Sequence, residues 1–206
     1  LNPDDEIILT IAEHHANFVP WQYIAGIKKA KIKVAYYDPN EDFDINKIKE
    51  LISNKTKLIA FPHVSNVLGT IFPIKEICAL AKNINALSLV DGCQGINHFS
   101  VDVKNIGCDF YCFSGHKLYG PTGIGVLYGN IKVLEKMPPF LCGGDMIDVV
   151  SINKTTFADP PLKFEAGTPP IVQAIALGKA IDWINKIGIE NIAHHENKLI
   201  SYGYEQ

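Results

Sequence analysis

Short apolar runs recur along this chain, each separated from the next by an amphipathic stretch, and that alternation is the tightest constraint on its fold. Glu6 to Ile11, Ile32 to Tyr37, Leu58 to Phe61, Ala86 to Val90 and Phe110 to Phe113 read as strands. Gly125 to Tyr128 reads as a short antiparallel return. The intervening segments read as helices. One runs from Pro20 to Lys29. A second is N-capped by Asp44 and ends near Ile52, and a third opens at Pro73 and ends near Asn83. From Pro170 to Lys186, apolar residues return at helical spacing, and another helix follows from Glu190. Strands alternating with helices specify an α/β fold, a mostly parallel sheet flanked by helices. The Gly/Pro-rich stretch from Pro138 to Gly144 is a loop.

A chain of 206 residues can bury one sizeable core. The net charge of −3, without a Lys/Arg cluster, gives no support to a nucleic-acid or membrane-surface role. No apolar run reaches bilayer length. The five cysteines are odd in number, and their spacing fits neither a zinc site nor a redox pair. A reducing compartment follows, cytoplasmic, or organellar if a transit peptide precedes the segment. The chain opens on Leu1 and closes in a polar helical stretch, which reads as an internal fragment.

In open α/β sheets, ligands bind beyond the carboxyl ends of the strands. The strand ends here lead into polar sets: Glu13–Asn17, His63–Asn66, Asp91–Gln94 and Ser114–Lys117. Together they line one sheet edge, which becomes the candidate site.

Lys117 follows an apolar strand and lies between Gly115 and Gly120, a poor place for a solvated surface charge. Burial there favours the neutral amine that Schiff-base chemistry needs. Asp91 either caps a helix, pairs with a lysine, or holds the protonated nitrogen of a pyridine ring. A buried lysine and a buried acid at neighbouring strand ends are what pyridoxal phosphate (PLP) chemistry requires. Ser114 and His116 either stabilise their turn or hold a phosphate. His14 either stacks on a flat cofactor or is structural. Asn66 and Gln94 either bond a ring oxygen or satisfy backbone groups. Thr168 is either an N-cap or a phosphate ligand at a helix start.

Other motifs fail. Gly120–Gly125 is not a dinucleotide fingerprint and precedes a strand. His14 and His15 are adjacent, unlike the paired histidines of zinc hydrolases, and no metal is expected.

Seven segments, in order and over nearly the whole chain, carry a resemblance: Glu13–Asn17, His63–Asn66, Val90–Gln94, Phe113–Lys117, Tyr119–Gly125, Gly143–Met146 and Phe164–Pro169. The set resembles the Suf-type cysteine desulfurases and selenocysteine lyases of the class V aminotransferase family. The resemblance implies the large domain of a fold-type-I PLP enzyme, with residues 1–206 as its central part. It implies that Lys117 carries the cofactor and moves the substrate α-proton, with His14 stacked on the ring. Asp91 would hold the pyridine nitrogen, Gln94 the phenolic oxygen, and Ser114 and His116 the phosphate. Asn66 would face the substrate carboxylate. Thr168 would reach the cofactor phosphate of a second subunit in a homodimer, with Gly143 and Gly144 at the contact.

The implied reaction converts L-cysteine or L-selenocysteine to L-alanine. A persulfide would pass to a sulfur-acceptor protein for iron–sulfur cluster assembly. The family's nucleophilic cysteine, a substrate-binding arginine and a Gly-Thr-Thr phosphate loop fall outside these residues. Cys93 stands where the family usually has alanine, and Cys142 where it has glycine. The cysteines present read as packing residues. Two other outcomes stay open: another family enzyme, such as an aminotransferase or carbon–sulfur lyase, or an inactive folding and dimerisation unit.

Overall fold

The computed structural model describes residues 1–38 and 40–206. In chain order the elements are β1 (Glu6–Thr10), α1 (His15–Lys28), β2 (Lys31–Ala35), α2 (Asn46–Lys49), β3 (Thr56–Pro62), α3 (Ile74–Asn83), β4 (Leu87–Asp91), α4 (Val103–Ile106), β5 (Phe110–Ser114), β6 (Gly125–Gly129), α5 (Ile131–Leu134), β7 (Ile147–Val150), β8 (Thr155–Phe157), α6 (Ile171–Ile187) and α7 (Ile189–Glu205). The main sheet has six strands in the order β2-β1-β3-β4-β5-β6. All its pairs are parallel except β5–β6. The strand order reverses direction between β1 and β3, the switch point at which such sheets open a crevice.

Strand parity builds the two sides of the core. Ile8, Ile59, Phe61, Val90 and Tyr111 point into the larger cluster, with Ile74, Ile77 and Ala81 of α3 packed on them. Ile7, Leu9, Leu58 and Ala60 point the other way, under Phe18, Trp21 and Ala25 of α1. Every residue of β1 is buried, as a parallel strand covered on both faces requires. Asp91 shares its parity with Leu89 and therefore lies on the α1 side.

The expected α/β architecture is present, with corrections at element boundaries. Helix α1 begins at His15 rather than Pro20. The His14 ring caps it by accepting the Ala16 N–H, and exposed Pro20 forfeits only its own backbone bond. Helix α2 ends short of Ile52, and Ile45 rather than Asp44 occupies its N-cap position; Asp44, one residue earlier, accepts the Asn46 N–H. Thr168 is not the N-cap of α6. Pro170 occupies that position, without a side-chain cap bond. The β7–β8 hairpin and the single-turn helices α4 and α5 carry no sequence pattern strong enough to mark them.

Candidate functional site

The carboxyl ends of the strands converge on one narrow cleft. His14, Asn66, Asp91, Gln94 and Lys117 line it, together with Cys93. These side chains come from the segments following β1, β3, β4 and β5. The free volume among them is about 10 Å³, room for roughly one water molecule. The site is thus defined by convergence of polar groups, not by size. A cavity of about 600 Å³ lies elsewhere, lined mainly by apolar residues such as Leu58, Leu87, Phe110 and Leu127.

Asp91 is the fixed point. It is buried at the end of β4, and its Oδ1 accepts the Cys93 N–H at 3.0 Å. The other neighbour of the carboxyl is the weakly donating Cys93 thiol, so the group keeps acceptor capacity for a ligand N–H. The loop carrying Gln94 sits on two rings from the opposite core. A Cβ on Gly92 would fall 2.0 Å from the Tyr111 ring, and one on Gly95 would fall 2.3 Å from the His63 ring. The His63 Nδ1 and the Tyr111 hydroxyl share a hydrogen bond of 2.9 Å. His63 donates its backbone N–H to the Asp91 carbonyl at 2.8 Å.

Burial pushes the His63 pKa down to about 4. The unfolded chain binds this proton below about pH 6.5, whereas the folded chain refuses it until about pH 4. Stability therefore falls as pH drops through that window, by up to about 3 kcal/mol from this group. Urea unfolding at pH 4 to 7 should show the parent losing this increment relative to His63→Gln. A parent–variant difference that stays constant with pH would refute the assignment.

Lys117 sits on a 3-10 turn, Gly115–Leu118, directly after β5. Gly115 and Leu118 face inward, which leaves His116 exposed and Lys117 half-buried. The expected full burial of Lys117 is therefore corrected: a three-residue period turns its amine toward the cleft mouth, not into the core. Tyr119 closes the turn in a left-handed conformation, φ 55°. Its ring packs edge-on against Trp183 of α6.

On the opposite wall, His14 presents its ring. Nδ1 accepts the Ala16 N–H at 3.1 Å, so this nitrogen is unprotonated and the ring's proton is on Nε2. Behind it runs a network that had no assigned role in the sequence. The Glu13 carboxyl accepts the Thr10 N–H at 3.3 Å and the Asn17 amide N–H at 2.7 Å, and lies 2.7 Å from the Thr10 hydroxyl. Asn17 in turn accepts the Trp21 indole N–H at 3.0 Å. The sequence signal is the four-residue spacing of Glu13, Asn17 and Trp21, the first just before α1 and the other two on one of its faces.

Ser114 lies beside the cleft, its hydroxyl 3.9 Å from Cys93 Sγ. His116 and Thr168 are both exposed and do not line the cleft. The Gly167 N–H donates to the Gly144 carbonyl at 3.0 Å, so the two glycine-bearing loops meet within the chain. The buried thiols behave as packing groups. Burial pushes Cys78 and Cys112 up to about 12, Cys108 up to about 11, and raises Cys93 as well. None of these carries the depressed pKa of a nucleophile. Asn66 lies within a turn in which the buried Ser65 hydroxyl accepts the Val67 and Leu68 N–H groups.

An open, mostly parallel α/β sheet with a lysine and a carboxylate facing each other across its carboxyl edge defines the class. The profile of the aminotransferase class-V family matches residues 1–206. The chain belongs to that family. It is 48% identical over 206 residues to a cysteine desulfurase of Serratia proteamaculans, covering all of this chain and 51% of the relative. The apo structure of a cysteine desulfurase from Thermococcus onnurineus NA1 superposes with a TM-score of 0.94 at 38% identity, over 100% of this chain and 51% of that one. A C-DES variant with glycine covalently linked to its PLP cofactor superposes with a TM-score of 0.85 at 25% identity, over 94% and 53%. The chain spans about half the length of the curated relatives it matches.

Proposed function

We propose that this chain is the cofactor-holding part of a PLP-dependent cysteine desulfurase, which takes sulfur from L-cysteine, or selenium from L-selenocysteine, and releases L-alanine. The observation that carries the reading is the convergence of Lys117, Asp91, His14, Gln94 and Asn66 on one cleft at the sheet's carboxyl edge. The donor set fits the group: an amine for its aldehyde, a buried carboxylate for its ring nitrogen, an imidazole wall, and amides for its oxygens. When bound, the cofactor supplies an electron sink for the pair left at the substrate Cα.

The chain's own residues do the rest. Lys117 Nζ anchors the aldehyde and then carries the proton to and from Cα, a role suited to an amine at the cleft mouth. Asp91 Oδ2 holds the ring N–H in its charged form through a charge-assisted bond. The His14 ring, fixed by its cap bond, covers the ring face and offers Nε2–H. Gln94 and Asn66 orient the ring oxygen and the substrate carboxylate. Ser114 and His116 provide donors for the phosphate. Thr168, outside this chain's cleft, serves the site of a second subunit in a homodimer. In support, apolar side chains are exposed on the helix that follows it, Val172 and Ile175, and on the loops earlier in the chain, Phe140, Leu141 and Ile152. A cysteine thiolate from outside these residues would take the substrate sulfur as a persulfide. The Cβ–S bond would break with its electron pair left on carbon, which is protonated to give alanine. The persulfide sulfur would then pass to an acceptor protein for iron–sulfur cluster assembly.

The test is direct. The protein is mixed with PLP, its visible spectrum recorded, the sample reduced with borohydride, and the peptides mapped by mass. A pyridoxyl group confined to Lys117 is expected. Labelling spread over surface lysines, or no label, would overturn the reading.

A further inference from the structure

The geometry points to Glu13 as a positioning residue of the site: hydrogen-bonded at once to the end of β1 and to the first turn of α1, it fixes the helix start that presents the His14 ring. This rests on the reading of the cleft as a cofactor site. Thr10 is fully buried and Asn17 nearly so, so both partners of the carboxyl are immobile. The Asn17 amide is oriented without ambiguity, because the Trp21 indole only donates and so takes the amide oxygen. The Asn17 N–H therefore faces Glu13. His14 is the next residue, and its backbone carbonyl accepts the Asn17 N–H at 2.8 Å. Loosening Glu13 frees Asn17 and with it the turn that His14 caps.

The carboxyl does this as a neutral acid. Burial pushes its pKa up to about 8, the Asp91 charge adds to the rise, and the bonds from Thr10 and Asn17 oppose it. The titratable groups facing it are Asp91 on β4 and Cys112 on β5, and His14 and His15 follow it in sequence. A neutral Glu13 leaves Asp91 as the carboxylate charge facing the ring nitrogen. Its ionisation above pH 8 puts a second negative charge behind His14 and strains the same turn.

Two readouts test this. Trp21 reports the network without any cofactor. In a Trp183→Phe background, its emission should show an inflection near pH 8 that Glu13→Gln abolishes. Glutamine replaces the acid O–H toward the Thr10 hydroxyl with an N–H and keeps an oxygen for Asn17, giving up only the long 3.3 Å bond from the Thr10 backbone N–H. PLP affinity, from absorbance titration, should be within about twofold of the parent in Glu13→Gln at pH 7, and weaker by about fivefold or more in Glu13→Ala. Above pH 8.5 the parent should weaken and Glu13→Gln should not. The inference fails if the inflection persists in Glu13→Gln, if the parent has none, or if Glu13→Gln weakens binding at pH 7 as much as Glu13→Ala. A parent that takes up no PLP refutes the cofactor reading instead, and the Trp21 titration then still decides whether Glu13 holds the helix start.

Discussion

Replacing Lys117 with alanine is expected to remove every borohydride-stable adduct between this chain and PLP. Lys117 is the one lysine lining the cleft among the described residues. Lys163, the buried lysine of the chain, is committed elsewhere, its Nζ donating to the Glu135 carbonyl at 3.1 Å. No other amine is in place to substitute. The cofactor should still bind without a covalent link, through Asp91, Gln94, Asn66 and the phosphate donors, with an absorbance like that of the free aldehyde. Lys117→Arg separates charge from nucleophilicity, because arginine stays protonated and cannot form the link. It should fail as alanine does. Persistent covalent labelling in either variant would show that another lysine carries the cofactor.

The half-exposure of Lys117 has a functional consequence. Its amine lies on a short turn held by buried Gly115 and Leu118, while the Gly120 N–H donates to the Gly115 carbonyl at 3.0 Å. The turn is rigid and the side chain is long. That combination suits a group that must first bind an aldehyde and then shuttle a proton. Asp91 is the reverse: short, buried and pinned through Oδ1. One partner moves and the other holds still.

Much of this arrangement was legible in the sequence, because strand period and strand ends are local signals. Near-continuous apolar runs in β1 and β3 mark strands covered on both faces, and the polar residues directly after a strand must fall at its carboxyl edge. That local rule brings His14, Asp91 and Lys117 to the same edge. The turns were harder. Full burial of Lys117 is what an apolar strand continued one turn further would give, but the 3-10 turn rotates it outward. Pro20 looks like a helix opening, whereas the histidine cap six residues earlier, which starts α1, has no strong sequence signature. The β7–β8 hairpin was invisible for a different reason. Its residues Ile147, Val149, Val150 and Phe157 are exposed, so burial imposed no alternation. Glu13 was quoted within a motif, yet its partners Thr10 and Asn17 come from two elements whose meeting only the fold reveals.

Gly92→Ala should be among the most damaging single-methyl changes available to this chain. The added Cβ would lie 2.0 to 2.3 Å from Cε1, Cζ and the hydroxyl of Tyr111. Neither side can yield. The Tyr111 ring is fully buried, and its hydroxyl is bonded to the equally buried His63. The Gly92 N–H is held by the Cys112 carbonyl at 2.8 Å, and its own carbonyl accepts from both Gly95 and Ile96 at 3.0 Å. Overpacking of this kind costs about 1–3 kcal/mol and more where nothing can shift. The upper end applies here, because relief requires breaking the His63–Tyr111 bond or lifting the loop. Lifting the loop moves Asp91 and Gln94 with it, so loss of PLP affinity should accompany loss of stability. Gly26→Ala is the matched control. Gly26 lies in α1 with nothing within 4 Å of its would-be Cβ, and alanine there should stabilise by about 0.5–1 kcal/mol. Urea unfolding of both variants, with absorbance titration of the cofactor, would settle the matter. If Gly92→Ala unfolds and binds like the parent, the rings of Tyr111 and His63 are not the floor on which the Asp91 loop rests.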